Sequence, residues 1–420
     1  MARGGLYMIA RQLCREWRLA IGVLAAVWLG CAGPDIDEMR DLTAPEHMAA
    51  LRGPGPPRRV VIISVAGLEA ADFLNAWGYV ASDGDAVRMP RLALLAREGV
   101  VGERARPPAP GSSYASHASI VTGLLPARHG VVADAALDEA GKRLLPFWDS
   151  RLIEGTALWD AAIGQGVLSL GWPTTTGARI ELLVPDSAPE ALSVSWLEHL
   201  RGIASPSLVR DLELLAEEAG VEFEADPADH DEEEDEPTRA ASRSRHPLSW
   251  PTPAERDGVF AELACRISSS DRDPGLWLIR LAQTEGVLHA SGYGSTQVDR
   301  ALFRVDEAIG RIVDCLEAND RLSDTAIFVV GDVSYRPVHT RIDPNVALVR
   351  RGLVGRDPRA STGVRSWLAL VRSNGRSAYI YARDAANALA ARTALEAEAE
   401  STGAFRVVSA AELARAGADP

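Results

Sequence analysis

The sequence predicts an α/β fold: a central, mostly parallel sheet flanked by helices, with one inserted segment. Three observations carry this. Apolar runs rich in β-branched residues recur at 60–65, 276–282 and 325–330, and strands buried on both faces read as continuous apolar runs of this kind. Helical patterns lie between them, notably at 90–99 and 297–318, which gives the strand–helix alternation of a parallel sheet. The chain has 420 residues, 47% hydrophobic and 24% charged, enough for one large domain with an insertion or for two domains.

Residues 1–31 stand outside that fold. Arg3, Arg11, Arg15 and Arg18 make a basic region, and an apolar run from Leu19 to Leu29 follows. The run is too short for a comfortable membrane span and has the layout of an export signal. Leu29-Gly30-Cys31-Ala32 resembles a lipoprotein cleavage box with Cys31 as the lipidated residue; an uncleaved anchor and a plain signal peptide are the alternatives. The expected location is therefore exported and membrane-anchored, periplasmic or at the cell surface. Residues 32–58, acidic and then rich in Pro and Gly, read as a tether, which leaves 59–420 as the folded domain. Cys265 and Cys315 both fall on apparent helices. An exported protein could oxidise them, and two free thiols or one disulfide remain open.

The elements follow in order. Val60 to Val65 is a central strand that ends at Ala66-Gly67-Leu68, and Pro90 to Gly99 is an amphipathic helix with a Gly stop. A second helix spans 156–166, and a strand and turn span 167–173. From about 180 to 256 the pattern changes, and this stretch reads as the inserted cap. It holds a possible helix at 208–219 and an acidic run at 226–236. That run includes Asp229-His230-Asp231 but reads as a solvated loop rather than a metal site. Core strands at 276–282 and 325–330 flank a long helix at 297–318. A helix at 345–353, a strand at 378–381 and a helix at 385–400 complete the domain. Ligands in open α/β sheets gather at the carboxyl ends of strands, so residues 66, 283–289 and 332 mark where a site is expected. The net charge of −14 argues against a nucleic-acid-binding surface.

Chemistry concentrates in Pro110-Gly111-Ser112-Ser113-Tyr114-Ala115-Ser116-His117 and in the closing turn Thr122-Gly123-Leu124-Leu125-Pro126-Ala127-Arg128-His129-Gly130. Ser113 falls at or near a helix start, where unpaired N–H groups and the helix dipole favour an anion. A hydroxyl there is a plausible nucleophile, and a plain N-cap role for Ser112 or Ser113 is the alternative. His117 follows Ser113 by four residues and could share its helical face. Glu285 and His289 follow a core strand at a spacing compatible with a shared metal site, or with a surface Glu and a capping His.

This segment resembles the nucleophile region of the type I phosphodiesterase/nucleotide pyrophosphatase family of the alkaline phosphatase superfamily. That family reads roughly Phe-Pro-Thr-x-Thr-Phe-Pro-Asn-His, then Thr-Gly-x-x-Pro-x-x-His-Gly. The resemblance places Ser113 at the nucleophile, Ser116 at the Asn and His117 at the following His. It extends to the Pro-x-Leu-x-x-Leu-x-x-Glu-Gly helix at 90–99 and to Gly171-Trp172-Pro173. The fold it implies is alkaline-phosphatase-like. The cofactors it implies are zinc or other divalent metals, two ions about 4 Å apart.

The resemblance also marks departures. The family's Asp-Gly after the first strand is Ala66-Gly67 here, and its Ser-Asp-His-Gly is Gly331-Asp332-Val333. Its Asp-x-x-Gly-His-x-x-Gly places Glu285 and His289 at ligand positions, and its last His-Gly has no counterpart. Glu285, His289 and Asp332 are thus residual ligand positions, whereas Ala66 and Val333 cannot coordinate. Weak or absent metal binding is expected. Glu69 and His339 are the residues of ligand type that could substitute. Two functions follow from the resemblance. One is a catalytically impaired, membrane-tethered relative that binds a phosphorylated ligand or a protein partner. The other is an active phosphohydrolase with Ser113 as nucleophile and substitute metal ligands.

Overall fold

A computed structural model describes residues 9–10, 57–74, 87–102, 105–137, 144–187, 195–218, 251–272, 274–357 and 364–418. The expected lipidation at Cys31, most of the signal and tether, and the acidic run at 226–236 lie outside the described residues.

The sheet is built on the apolar runs. Its strands are β1 (Ile9–Ala10), β2 (Arg59–Val65), β3 (Val100–Val101), β6 (Val167–Leu170), β7 (Leu182–Val184), β8 (Leu276–Leu281) and β9 (Thr325–Gly331), in the order β3-β1-β9-β2-β8-β6-β7. β4 (Ala135–Leu137) and β5 (Leu144–Pro146) form a separate hairpin. The five strands from β9 to β7 run parallel, and β1 joins antiparallel between β3 and β9.

Strand residues alternate between two buried faces. Val61, Ile63, Val65, Trp277, Ile279, Leu281, Ile327 and Val329 enter one core; Val60, Ile62, Leu276, Leu278, Ala326, Phe328 and Val330 enter the other. Burial on both faces is why the sequence shows continuous apolar runs rather than alternation.

Helices α1 (Pro90–Arg97), α2 (Ser113–Thr122), α3 (Pro126–His129), α4 (Leu158–Ala161), α5 (Trp196–Leu200), α6 (Pro206–Glu218), α7 (Pro253–Ser268), α8 (Gln283–Ser291) and α9 (Thr296–Ala318) cover these faces. Residues of α1, α5, α6, α7, α8 and α9 pack in the first core, and Ile120 and Val121 of α2 in the second. Buried carboxylates start two of the helices. Asp306 accepts the Arg91 and Leu92 N–H groups at 2.8 Å each, and Asp257 accepts those of Ala282 and Gln283 at 3.0 and 2.9 Å. Each fills the orphan donors of a helix N-terminus. Cys265 of α7 and Cys315 of α9 form a disulfide with Cα atoms 5.3 Å apart, which resolves the open pairing.

The remaining chain forms a smaller unit with its own apolar cluster. It comprises α10 (Asn345–Arg350), the hairpin of β10 (Val354–Arg356) and β11 (Val364–Trp367), the hairpin of β12 (Ala369–Asn374) and β13 (Ser377–Ala382), α11 (Ala385–Thr402) and α12 (Ala410–Arg415). The strand expected at 378–381 belongs to this unit and not to the central sheet.

At three further stretches the structure adds to or differs from what the sequence predicts. The stretch from about 180 begins with a strand of the central sheet, Leu182–Val184, its edge strand. The helix expected at 156–166 is only one turn, at 158–161, and Gly164 and Gly166, both at positive φ, break it. The stretch after β8, for which no helix is expected from the sequence, is the helix α8, started by the Asp257 cap.

Candidate functional site

The parallel strands present their carboxyl ends to α2, and the site forms there. Arg280 lies one residue before the end of β8, level with Ser64 of β2, on the sheet face that also carries Leu276 and Leu278. That face is the one α2 covers, so Arg280 meets the start of α2.

Ser112 takes the N-cap, its hydroxyl accepting the Ala115 N–H at 3.3 Å. Ser113 is therefore the first residue of the helix and its hydroxyl is free for other partners. It donates to Asp332 Oδ2 at 2.6 Å and accepts from Arg280 Nη2 at 3.3 Å. Asp332 follows β9, and its Oδ1 accepts the Gly67 N–H at 3.1 Å and the Val333 N–H at 2.6 Å. Gly67 makes this possible: its φ is +72°, and an added Cβ would lie 2.5 Å from Leu288, so no other residue fits without strain.

Arg280 is the centre of the charge. Its Nη1 donates to Asp186 at 3.0 Å and its Nη2 to Glu285 at 2.6 Å. Asp186 also accepts from the Tyr114 hydroxyl at 3.0 Å and from Arg256 at 3.4 Å. Burial disfavours the charge of the guanidinium. The carboxylates of Asp186, Glu285 and Asp332 outweigh that and hold it more firmly protonated than usual. Burial pushes the Glu285 carboxyl up against the pull of Arg280. Asp134, which accepts the Tyr114 N–H at 3.0 Å, is likewise raised by burial.

His117 does share the helical face of Ser113, but in the wrong role for a base. Its Nδ1 lies 2.7 Å from the Ser113 carbonyl oxygen and 3.4 Å from the hydroxyl. A carbonyl only accepts, so Nδ1 carries the proton and cannot take one from Ser113. The ring packs edge-on against Trp172 with centroids 4.8 Å apart. Burial lowers its pKa to about 4, so it is neutral at pH 7. Ser116 Oγ, His117 Nε2 and Trp172 Nε1 are buried without a hydrogen-bond partner among the described residues. His129 differs: it accepts the Val131 N–H at Nδ1 (3.1 Å) and meets Ser119 Oγ at Nε2 (2.9 Å), which makes it a satisfied structural histidine.

The structure thus brings Ser113, His117, Glu285 and Asp332 together around Arg280. It does not bring in His289, which is exposed on the last turn of α8 and stacks edge-on against Tyr335. Anchored on Gly286 instead, the family's Asp-x-x-Gly-His falls on Gln283 and Val287, and neither supplies the expected ligand. Glu69 is held by Arg336 at 2.6 Å and His339 is exposed, so neither substitutes in the pocket. Arg280, Asp186 and Asp134 did not emerge from the sequence as site residues. The available signal was one arginine inside the apolar strand Leu276-Trp277-Leu278-Ile279-Arg280-Leu281, since a charge inside a core strand must be paired.

A mostly parallel sheet with a serine at the start of a helix facing the carboxyl ends of the strands is an α/β arrangement that places a hydroxyl and helix N–H groups where ligands of such sheets bind. The model of the type I phosphodiesterase / nucleotide pyrophosphatase family matches residues 60–413, and the chain belongs to that family. Among solved structures it is similar to murine ectonucleotide pyrophosphatase / phosphodiesterase 5, with 16% identity, a TM-score of 0.52, and 86% of this chain and 75% of that chain covered. An inactive variant of that murine protein in complex with AMP gives 16% identity, a TM-score of 0.51 and the same coverage. None of the curated proteins matches the chain by sequence.

Members of this family typically depend on divalent metals, and the residues here do not fit such a pair. Ala66 and Val333 offer no donor atom. Among the described residues, no three His, Cys, Asp or Glu side chains come together in a metal-binding arrangement. A guanidinium bonds to the carboxylates that a cation would need.

Proposed function

We propose that this chain is an exported, membrane-tethered member of the family that has lost metal-dependent turnover and works by binding a phosphorylated ligand. The observation that carries the reading is the Arg280 guanidinium bonded to Asp186, Glu285 and Ser113 at the strand ends, together with Ala66 and Val333 at ligand positions. Phosphodiester hydrolysis in this family needs metal to activate the nucleophile and stabilise the leaving group, and the Ser113 hydroxyl is an ordinary alcohol without it. The pocket keeps two donors suited to a phosphoryl group: the first turn of α2 and Arg280. Glu285, whose side chain is 34% exposed, is the partner such a ligand would displace from Arg280. The Cys265–Cys315 disulfide supports an oxidising compartment.

The test has two parts. The purified chain is dialysed against zinc and its metal content measured, and bis(p-nitrophenyl) phosphate is offered with and without zinc or manganese. Near-zero metal, no metal-stimulated turnover and a thermal shift with AMP are expected. Metal-dependent turnover at an ordinary enzymatic rate overturns the reading.

One geometry favours a second reading. Ser113 donates a short hydrogen bond to Asp332 beside a guanidinium, which is compatible with slow, metal-independent phosphoryl transfer to the serine. Phosphatase activity that survives chelator and disappears in Ser113→Ala would select it.

A further inference from the structure

We infer that Arg280 is a built-in counter-ion: its guanidinium takes the place of a bound divalent cation, holds the pocket's carboxylates together, and closes the site to metal. The inference rests on the metal-independent reading above and goes further, because it names the group that keeps the site metal-free.

The geometry is specific. Four elements besides β8 converge on this side chain. The loop after β7 brings Asp186, α8 brings Glu285, α2 brings Ser113, and the loop after β9 brings Asp332 through Ser113. Carboxylate and hydroxyl oxygens carried by separate elements are the kind of donor that a hard cation such as Mn²⁺, Mg²⁺ or Ca²⁺ takes. Here they are spread around the fork of a cation that the chain itself supplies, not gathered at one metal-binding point, and the Arg280 side chain is only 5% exposed.

Charge counting agrees. Asp186, Glu285 and Asp332, bonded to the guanidinium directly or through Ser113, contribute three negative charges, and Arg280 and Arg256 two positive ones, for a net of −1. Without Arg280 these groups sum to −2, and Asp134 nearby adds one further negative charge, so the site would be left strongly anionic. With Arg280 present, an entering divalent ion meets a positive charge at contact distance in a buried site, where such repulsion is weakly screened. A purely structural salt bridge would show the same bonds, but its removal would leave no site for an ion.

The experiment uses the full chain as wild type, Arg280→Ala and Arg280→Gln. Retained metal is measured by elemental analysis after loading with Mn²⁺ or Zn²⁺ and removing the excess, and Tm is recorded with and without MnCl2 and with methylguanidinium. The wild type is expected to retain no stoichiometric metal and to show no shift in Tm with MnCl2. Arg280→Ala is expected to melt lower, to recover Tm with Mn²⁺ or with methylguanidinium, and to retain about one divalent ion per chain. Adding Asp332→Ala to it should abolish that gain. Arg280→Gln keeps most of the volume and removes the charge, so it carries the same readouts if Arg280→Ala does not fold.

Variants that fold, hold no more metal than the wild type and respond to neither additive overturn the inference and leave the proposed function standing. A wild type that itself retains stoichiometric metal overturns the proposed function, and the inference with it.

Discussion

Helix α2 and the strand ends opposite it share one pocket, yet they carry their polar groups in different ways. The strand ends hold the charges, and Arg280, Asp186, Glu285 and Asp332 are all bonded. Helix α2 contributes neutral groups, and two of these, Ser116 Oγ and His117 Nε2, are buried without a partner among the described residues. A buried neutral hydroxyl or imidazole without a partner costs a few kcal/mol, whereas a buried unpaired charge costs far more. Removing one partner of a pair at the strand ends is therefore the costlier change, while α2 carries the smaller penalty of its unpartnered neutral groups.

Breaking the charged side should have the largest effect. Arg280→Met leaves Asp186 and Glu285 buried without their guanidinium and should lower the unfolding free energy by about 3–5 kcal/mol, measured by urea denaturation. A loss below about 1 kcal/mol would mean that solvent replaces the guanidinium and that the strand ends are no more demanding than α2. Next, Asp257→Ala removes the carboxylate that caps α8 and with it the support of Glu285. We expect a loss of about 1.5–3 kcal/mol and lowered protection of α8 in hydrogen exchange.

The helix side is sharpened by pH. Burial lowers the pKa of His129 to about 4, whereas an unfolded histidine titrates near 6.5. Between those values the unfolded chain takes up a proton that the folded chain refuses, so this contribution to stability is present above pH 6.5 and lost as pH falls toward 4. The stability difference between wild type and His129→Gln should shrink by on the order of 2 kcal/mol from pH 7 to 4.5. A gap independent of pH would mean that His129 is hydrated. The smallest effect is expected for Ser113→Ala, at most about 1 kcal/mol, because Asp332 keeps its two backbone donors. A loss as large as that of Arg280→Met would erase the distinction between the two sides.

The sequence showed the sheet well, because strands buried on both faces leave unbroken runs such as Val60 to Val65. It showed the bounds of α2 because helix starts and closing glycines carry local signals: Ser112 caps α2, and Gly123 ends it at a φ of +66°. Leu182–Val184 escaped because a three-residue edge strand has no periodicity to read, and its neighbours Pro185 and Asp186 look like loop. The pairing of Arg280 with Asp186 escaped for another reason: the two lie far apart in the chain, and only the sheet, in which β8 and β7 flank β6, brings their carboxyl ends within reach of each other. Glu285 was placed at the site, but its partner proved to be a guanidinium, since spacing along the chain says nothing about the sign of the charge it meets.

The Cys265–Cys315 bond has a consequence of another kind. It joins the ends of a stretch that contains Arg280, Glu285 and His289, so this part of the polypeptide is a covalent ring. A protease that nicks the ring anywhere between the two cysteines opens it without releasing either half. Nicked chains should run as intact protein on a non-reducing gel and as two pieces once reductant is added, and the pocket can outlive a cut in its own backbone.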